Sequence, residues 1–257
     1  MREILHSKIL GSGKPLCVLH GFLGMSDNWK TLGMAYADSG MEVHLIDQRN
    51  HGKSFHSEDF NYDFLAKDLN NYLESKNIER TLLIGHSMGG KTAMQFACDY
   101  PGKTEKLLVA DIAPKFYPPH HHEIIDGLNK IDLSVLTSRK EADDELQKHI
   151  SNFGIRQFLL KNLLWNSEKK LSFRFNLPVL SHKMEEIGEN INSTDSYAGP
   201  TLFLKGSKSE YVTDSDLLQI KTHFPLAQME TIANAGHWLH AENPKEFLSK
   251  SLHFLSS

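Results

Sequence analysis

The chain has 257 residues, 40% of them hydrophobic and 23% charged, a balance that suits one large folded domain and argues against disordered or fibrous classes. Its 28 basic against 32 acidic side chains give a formal charge of −4, so no general attraction to nucleic acid or to an anionic membrane follows, and neither is expected as a partner. Cys17 and Cys98 lie in apolar segments without Cys-x-x-Cys spacing, which reads as two buried, reduced thiols.

The first residues, MREILHSKILGSGKPL, contain no continuous apolar signal core, and no window reaches the run of about 18 apolar residues that a membrane helix needs. A soluble cytoplasmic protein is the expectation. From there apolar runs alternate with amphipathic stretches: PLCVLHGF as a strand, NWKTLGMAYADS as a helix, MEVHLIDQ as a strand, YDFLAKDLNNYLESK as a helix and RTLLIGHS as a strand. A helix from Met88 and a strand at KLLVADIA continue the pattern. Much later come PTLFLKG, DLLQIKTHF, AQMETIA and a last helix from about Pro244. Such alternation predicts an α/β fold, a mostly parallel sheet with helices on both faces, whose ligands bind beyond the carboxyl ends of the strands.

The alternation stops between Pro114 and Gly199. Helical spacing dominates there, in HEIIDGLNKIDLSVLTSRKEADDELQKHI and IRQFLLKNLLWN, and the stretch is too long for a loop. It reads as a helical cap, residues 114–199, over the carboxyl edge of a core made of residues 1–113 and 200–257. The charged run RKEADDELQK inside it reads as a solvated helix face.

Gly85-His86-Ser87-Met88-Gly89 falls between a predicted strand and a predicted helix, the context a G-x-S-x-G nucleophile turn requires. Glycines two positions either side of Ser87 leave room for a turn so tight that side chains there would strike strand and helix. Ser87 itself would stand at a helix N-terminus, where free amides favour developing negative charge. The competing reading is a plain strand-to-helix connection eased by small residues. An acyl-transfer enzyme also needs two backbone donors for the oxyanion, and Met88 after the nucleophile and Phe22 in VLHGFLG are placed to supply them. His20 reads as a loop-shaping residue. The base is expected after the last strand, where IANAGHWLHAENP offers His237 and, three residues on, His240; His237 fits the strand end better.

HGFLG, DQRNHGKS, GHSMGGK, DIAP and AGHWLHAENP, in this order, resemble the α/β-hydrolase superfamily, and more closely its YbfF-type bacterial esterases. The resemblance covers nearly the whole chain and implies a helical cap inserted after the sixth strand. It implies Ser87 as nucleophile, His237 as base, and Phe22 with Met88 as oxyanion donors. The superfamily's usual acid position, in GSKSEYV, holds Ser209, which cannot stabilise an imidazolium by charge. Glu210 beside it is one candidate. Asp111, at the end of LLVADIAP, is the preferred one, because YbfF-type enzymes resemble this arrangement in taking their acid there.

Three adjacent histidines in PPHHHEII would point in different directions on a helix, so no metal site is expected, though one of them suits the mouth of the cap. Asp47, Arg49 and His51 in DQRNHGKS are expected to support the site. Trp238, Tyr211, Phe116 and Phe22 are candidates for lining an acyl pocket, with core packing the alternative for each. The expected activity is hydrolysis of short- to medium-chain acyl esters, with acyl-CoA thioesters a further suggestion of the resemblance, by a monomer or small homo-oligomer. It requires no cofactor or metal. The same fold hosts carbon–carbon bond hydrolases and ligand receptors, which stay open as alternatives; a dehalogenase would carry aspartate at Ser87.

Overall fold

The computed structural model describes residues 3–119, 121–191 and 195–257. The chain begins with an edge strand, β1 (Ser7–Leu10), then follows the expected alternation: β2 (Lys14–Leu19), α1 (Lys30–Asp38), β3 (Met41–Ile46), α2 (Tyr62–Ser75), β4 (Thr81–His86), α3 (Met88–Asp99) and β5 (Thr104–Ala110). The stretch after Pro114 contains α4 (His122–Asn129), α5 (Arg139–Gln147), α6 (Phe153–Leu160), the strands β6 (Leu163–Trp165) and β7 (Leu171–Phe173), α7 (Leu177–His182) and α8 (Met184–Gly188). The chain then returns to the sheet with β8 (Thr201–Gly206), α9 (Leu217–His223), β9 (Ala227–Ile232), α10 (Leu239–Glu242) and α11 (Pro244–Ser256).

The main sheet has the order β1-β3-β2-β4-β5-β8-β9, antiparallel at β1 and parallel elsewhere. Its strands read as near-continuous apolar runs because both faces are covered. Alternate residues go to opposite sides: Cys17, Leu83, Leu107, Val109 and Phe203 pack with α2, α3 and α9, while Leu16, Val18, Leu82, Ile84, Leu108 and Leu202 pack with α1 and α11. Cys17 is buried, whereas Cys98 is only half-buried; neither forms a disulfide.

Two local departures concern the sheet and the insertion. The insertion follows the fifth strand in chain order, one place earlier than the sixth implied by the resemblance, because among the described residues only β1 precedes β2. It is also not wholly helical. Leu163–Trp165 forms β6, paired antiparallel with β7 across a turn in which Lys169 takes φ 61°. The insertion meets the core through a shared apolar cluster that joins Leu128, Leu146, Leu159 and Leu180 to Phe22, Leu23, Tyr62 and Met88. Each fully buried leucine in such a cluster contributes about 1.5–3 kcal/mol. No helix of the described residues is long and apolar enough to cross a membrane.

Candidate active site

β4 ends at His86 and α3 starts at Met88, so Ser87 alone reverses the chain, with φ 53° and ψ −120°. A non-glycine residue in this region costs about 1–3 kcal/mol, and it persists only where its surroundings fix it. Here the Ser87 amide donates to the Ala110 carbonyl at 3.1 Å and its carbonyl accepts from the Lys91 amide at 3.0 Å. The flanking glycines are mechanical necessities. A Cβ on Gly85 would come within 2.2 Å of the Gly89 carbonyl oxygen, and one on Gly89 within 2.5 Å of the carbonyl oxygens of Leu19 and His20.

His237 stands in the turn between β9 and α10. Its Nε2 lies 3.0 Å from Ser87 Oγ and its Nδ1 2.8 Å from Asp111 Oδ2. Asp111 is wholly buried just past β5, itself at φ 52°, and its Oδ1 accepts the Gly206 amide at 2.9 Å. A carboxylate accepts and does not donate, so Nδ1 carries the imidazole proton and Nε2 offers its lone pair to the Ser87 hydroxyl. Glu210, the other acid considered, is exposed. Ser209, at the superfamily's usual acid position, donates its hydroxyl to Asp111 Oδ2. Its place in GSKSEYV was the signal for this contact. The His237 ring also stacks on Tyr211, 3.8 Å between centroids and 16° from parallel.

The loop after β2 passes close beside the serine: a Cβ on Gly21 would sit 2.9 Å from His86 Nδ1 and 3.3 Å from Ser87 Cβ. Two buried histidines hold this loop. His20 donates from Nδ1 to the Gly21 carbonyl at 2.8 Å and accepts the Gln48 amide at Nε2 at 3.1 Å. His51 likewise donates from Nδ1 to the Arg49 carbonyl and accepts the Leu23 amide at Nε2, 3.2 Å. Each ring therefore has one proton in a fixed place. Burial lowers the pKa of both, that of His51 to about 3. Asp47 accepts the Ser26 amide at 2.6 Å and the Lys53 amide at 3.0 Å, and Arg49 grips Asp68 with two bonds of 2.5 and 2.8 Å. From the insertion, buried Asn162 donates to the Leu23 carbonyl at 2.9 Å. The amides of Phe22 and Met88 donate to no protein acceptor among the described residues.

Above Ser87 opens a cavity of ≈320 Å³ walled by the core loops and by Ile124, Ile155, Phe158 and Leu159 of the insertion. Tyr211 and Trp238 are among its lining residues; burial pushes the Tyr211 phenol up to about 12. Phe116 does not. It is 52% exposed, because the segment after Pro114 turns its ring outward instead of over the serine. Of the three adjacent histidines, His121 lines the cavity, His122 is exposed, and His120 lies outside the described residues. His86 and Lys91 escaped the sequence reading. His86 Nε2 donates to the His237 carbonyl at 2.8 Å, fixing the turn that carries the imidazole. Lys91, fully buried, donates to the carbonyls of Lys115, Gly188 and Glu189 and so ties α3 to the insertion. The signal for Lys91 was a lone cation in the otherwise small and apolar run GGKTAM.

The model of the alpha/beta hydrolase fold matches residues 14–139. The chain is 38% identical over 252 residues to the sn-1-specific diacylglycerol lipase ABHD11 of Danio rerio, covering 95% of this chain and 79% of that protein. It is 34% identical over 250 residues to Esterase YbfF of Escherichia coli strain K12, covering 95% of this chain and 94% of that one. Among solved structures it is similar to a marine microorganism esterase, with 42% identity, a TM-score of 0.95, and coverage of 98% of this chain and 100% of the other.

Proposed function

The chain belongs to the α/β-hydrolase family and is a carboxylic ester hydrolase, and from that premise we propose that Ser87, His237 and Asp111 cleave short- to medium-chain acyl esters through an acyl-serine intermediate. The observation that carries this reading is the unbroken relay from Ser87 Oγ to His237 Nε2 and from Nδ1 to Asp111, set at the floor of the cavity.

His237 takes the Ser87 proton as Oγ attacks the ester carbonyl, and Asp111 holds the resulting imidazolium in place. The oxyanion is received by the Phe22 and Met88 amides, Met88 opening α3 with the positive end of the helix dipole behind it. His237 then protonates the leaving alcohol, and water enters by the reverse path to release the acid. Segment 114–199 acts as the cap that walls the acyl chain from solvent. A cavity of ≈320 Å³ lies at the small end of ligand pockets, which favours short to medium chains. Acyl thioesters are proposed as a second substrate class, since the same steps serve a thiolate leaving group. The substrate is a small molecule in either case.

The test is the initial rate on p-nitrophenyl esters of increasing acyl length, and on matched acyl thioesters, for wild type and Ser87→Ala. The serine variant should lose about 10⁴-fold or more in rate. A wild type inert on every ester, or a variant as active as wild type, would return Ser87 to being a small residue in a tight turn.

A further inference from the structure

One buried side chain in the cavity wall takes no part in the proposed relay. His240, on α10, is 6% exposed, stacked on Trp29 at 4.2 Å and 5° from parallel, and packed 4.5 Å from His86. Its Nδ1 is buried with no hydrogen-bond partner, and its Nε2 bonds to no described residue. Burial lowers its pKa to about 3, so the ring is neutral with one proton. That proton belongs on Nε2, the nitrogen left open to the cavity, where an acceptor can reach it. Nδ1 is enclosed and stays unpaired with or without a ligand, so the Nε2 proton is the group of this ring that a molecule in the cavity can meet.

Asn28 lines the same cavity, next in sequence to the tryptophan on which His240 stacks. Its Oδ1 accepts the Met25 amide at 2.8 Å, which fixes the amide's orientation and leaves the NH₂ group as a donor with no described partner. Among the described residues the wall contains no lysine or arginine, and its one carboxylate is Glu123. Two neutral donors without a cation suit an uncharged oxygen and disfavour a carboxylate or phosphate.

We infer that His240 and Asn28 form a polar subsite selecting esters that carry an uncharged acceptor oxygen, an ether, hydroxyl or carbonyl, a few bonds from the scissile group. The subsite rests on the esterase reading above and adds the chemical class of its substrate. The apolar side chains from α4 and α6 then receive the hydrocarbon part.

The experiment replaces one methylene by oxygen in two matched pairs. On the acyl side, p-nitrophenyl 3-methoxypropanoate is compared with p-nitrophenyl pentanoate; on the alcohol side, 2-methoxyethyl butanoate with butyl butanoate. The readout is the ratio of kcat/KM within each pair, in wild type, His240→Phe and Asn28→Asp. Phenylalanine keeps a ring against Trp29 without the donor. Aspartate keeps the acceptor for the Met25 amide and turns the free donor into an acceptor. The oxygen preference should fall about three- to tenfold in each variant, in whichever pair places its oxygen at the subsite. Ratios unchanged in both variants and both pairs would overturn the subsite while leaving the esterase reading intact. A wild type that hydrolyses none of these esters would overturn both, which is a different result.

Discussion

Asp111→Asn removes one charge and almost no volume, and the contacts of Asp111 allow its effect to be worked out. One carboxylate oxygen accepts the Gly206 amide at 2.9 Å; the other accepts His237 Nδ1 at 2.8 Å together with the Ser209 hydroxyl. A carboxamide has only one oxygen to offer. If it faces Gly206, its NH₂ meets His237 Nδ1, the imidazole proton must move to Nε2, and Nε2 then cannot accept from Ser87. If it faces His237, two donors confront each other at Gly206 in a wholly buried site, and the imidazolium still lacks its counter-charge. Either way turnover should fall about 10⁴-fold, the scale found when a triad acid is made an amide, or about 5.4 kcal/mol of barrier. The assay is kcat on a short p-nitrophenyl ester, with unfolding by urea followed in parallel so that loss of fold is not mistaken for loss of chemistry. Glu210→Gln, at an exposed position, should stay within a few-fold of wild type. A folded Asp111→Asn enzyme within tenfold of wild type, or a collapse in Glu210→Gln instead, would refute the assignment.

Three further outcomes are expected. Gly89→Ala drives a methyl to 2.5 Å from two carbonyl oxygens and should abolish soluble expression or activity, whereas Gly102→Ala meets nothing within 4 Å and should gain about 0.4–1 kcal/mol; urea midpoints separate them. Lys91→Met leaves the carbonyls of Lys115, Gly188 and Glu189 without their donor and should cost about 3 kcal/mol or more in the same assay; a loss below about 1 kcal/mol would show that the insertion is held without it. The third outcome concerns acid. His51 and His240 are buried neutral, with pKa lowered by burial to about 3 from 6.5, so below pH 6.5 the unfolded chain takes up protons that the folded chain refuses. Stability should therefore be lost as pH falls from 6.5 towards 3, at about 1.4 kcal/mol per pH unit for each ring, and His51→Gln should make the slope of ΔG against pH shallower. A slope unchanged in that variant would mean that His51 titrates alike in both states.

The sheet was legible because strands covered on both faces need no polar alternation, and runs such as TLLIGH and KLLVA declare themselves. Ser87 was legible for a related reason: the chain cannot turn there unless Gly85 and Gly89 lack side chains, so the motif records a steric requirement. Where sequence reading failed, the deciding interactions are long-range. β1 is a four-residue edge strand, partly exposed, defined only by its pairing with β3. IRQFLLKNLLWN has spacing that suits a helix, yet α6 stops at Leu160 and Asn162 is drawn to the Leu23 carbonyl far away in sequence, so the rest becomes β6.

The proposed acid shows the same limit at the site. A carboxylate at the end of a strand is visible in the sequence, but two strand ends compete, and composition does not choose between them. What separates Asp111 from Glu210 is that the residue after β5 turns to φ 52° and points its carboxylate at the Gly206 amide, which ends the neighbouring strand β8. The segment after β8 then needs to supply only a hydroxyl, and Ser209 does so. The missing charge in GSKSEYV and the buried charge in LLVADIAP are therefore one arrangement seen from two strands, since a second carboxylate at Ser209 would face Asp111 across the distance of a hydrogen bond and repel it.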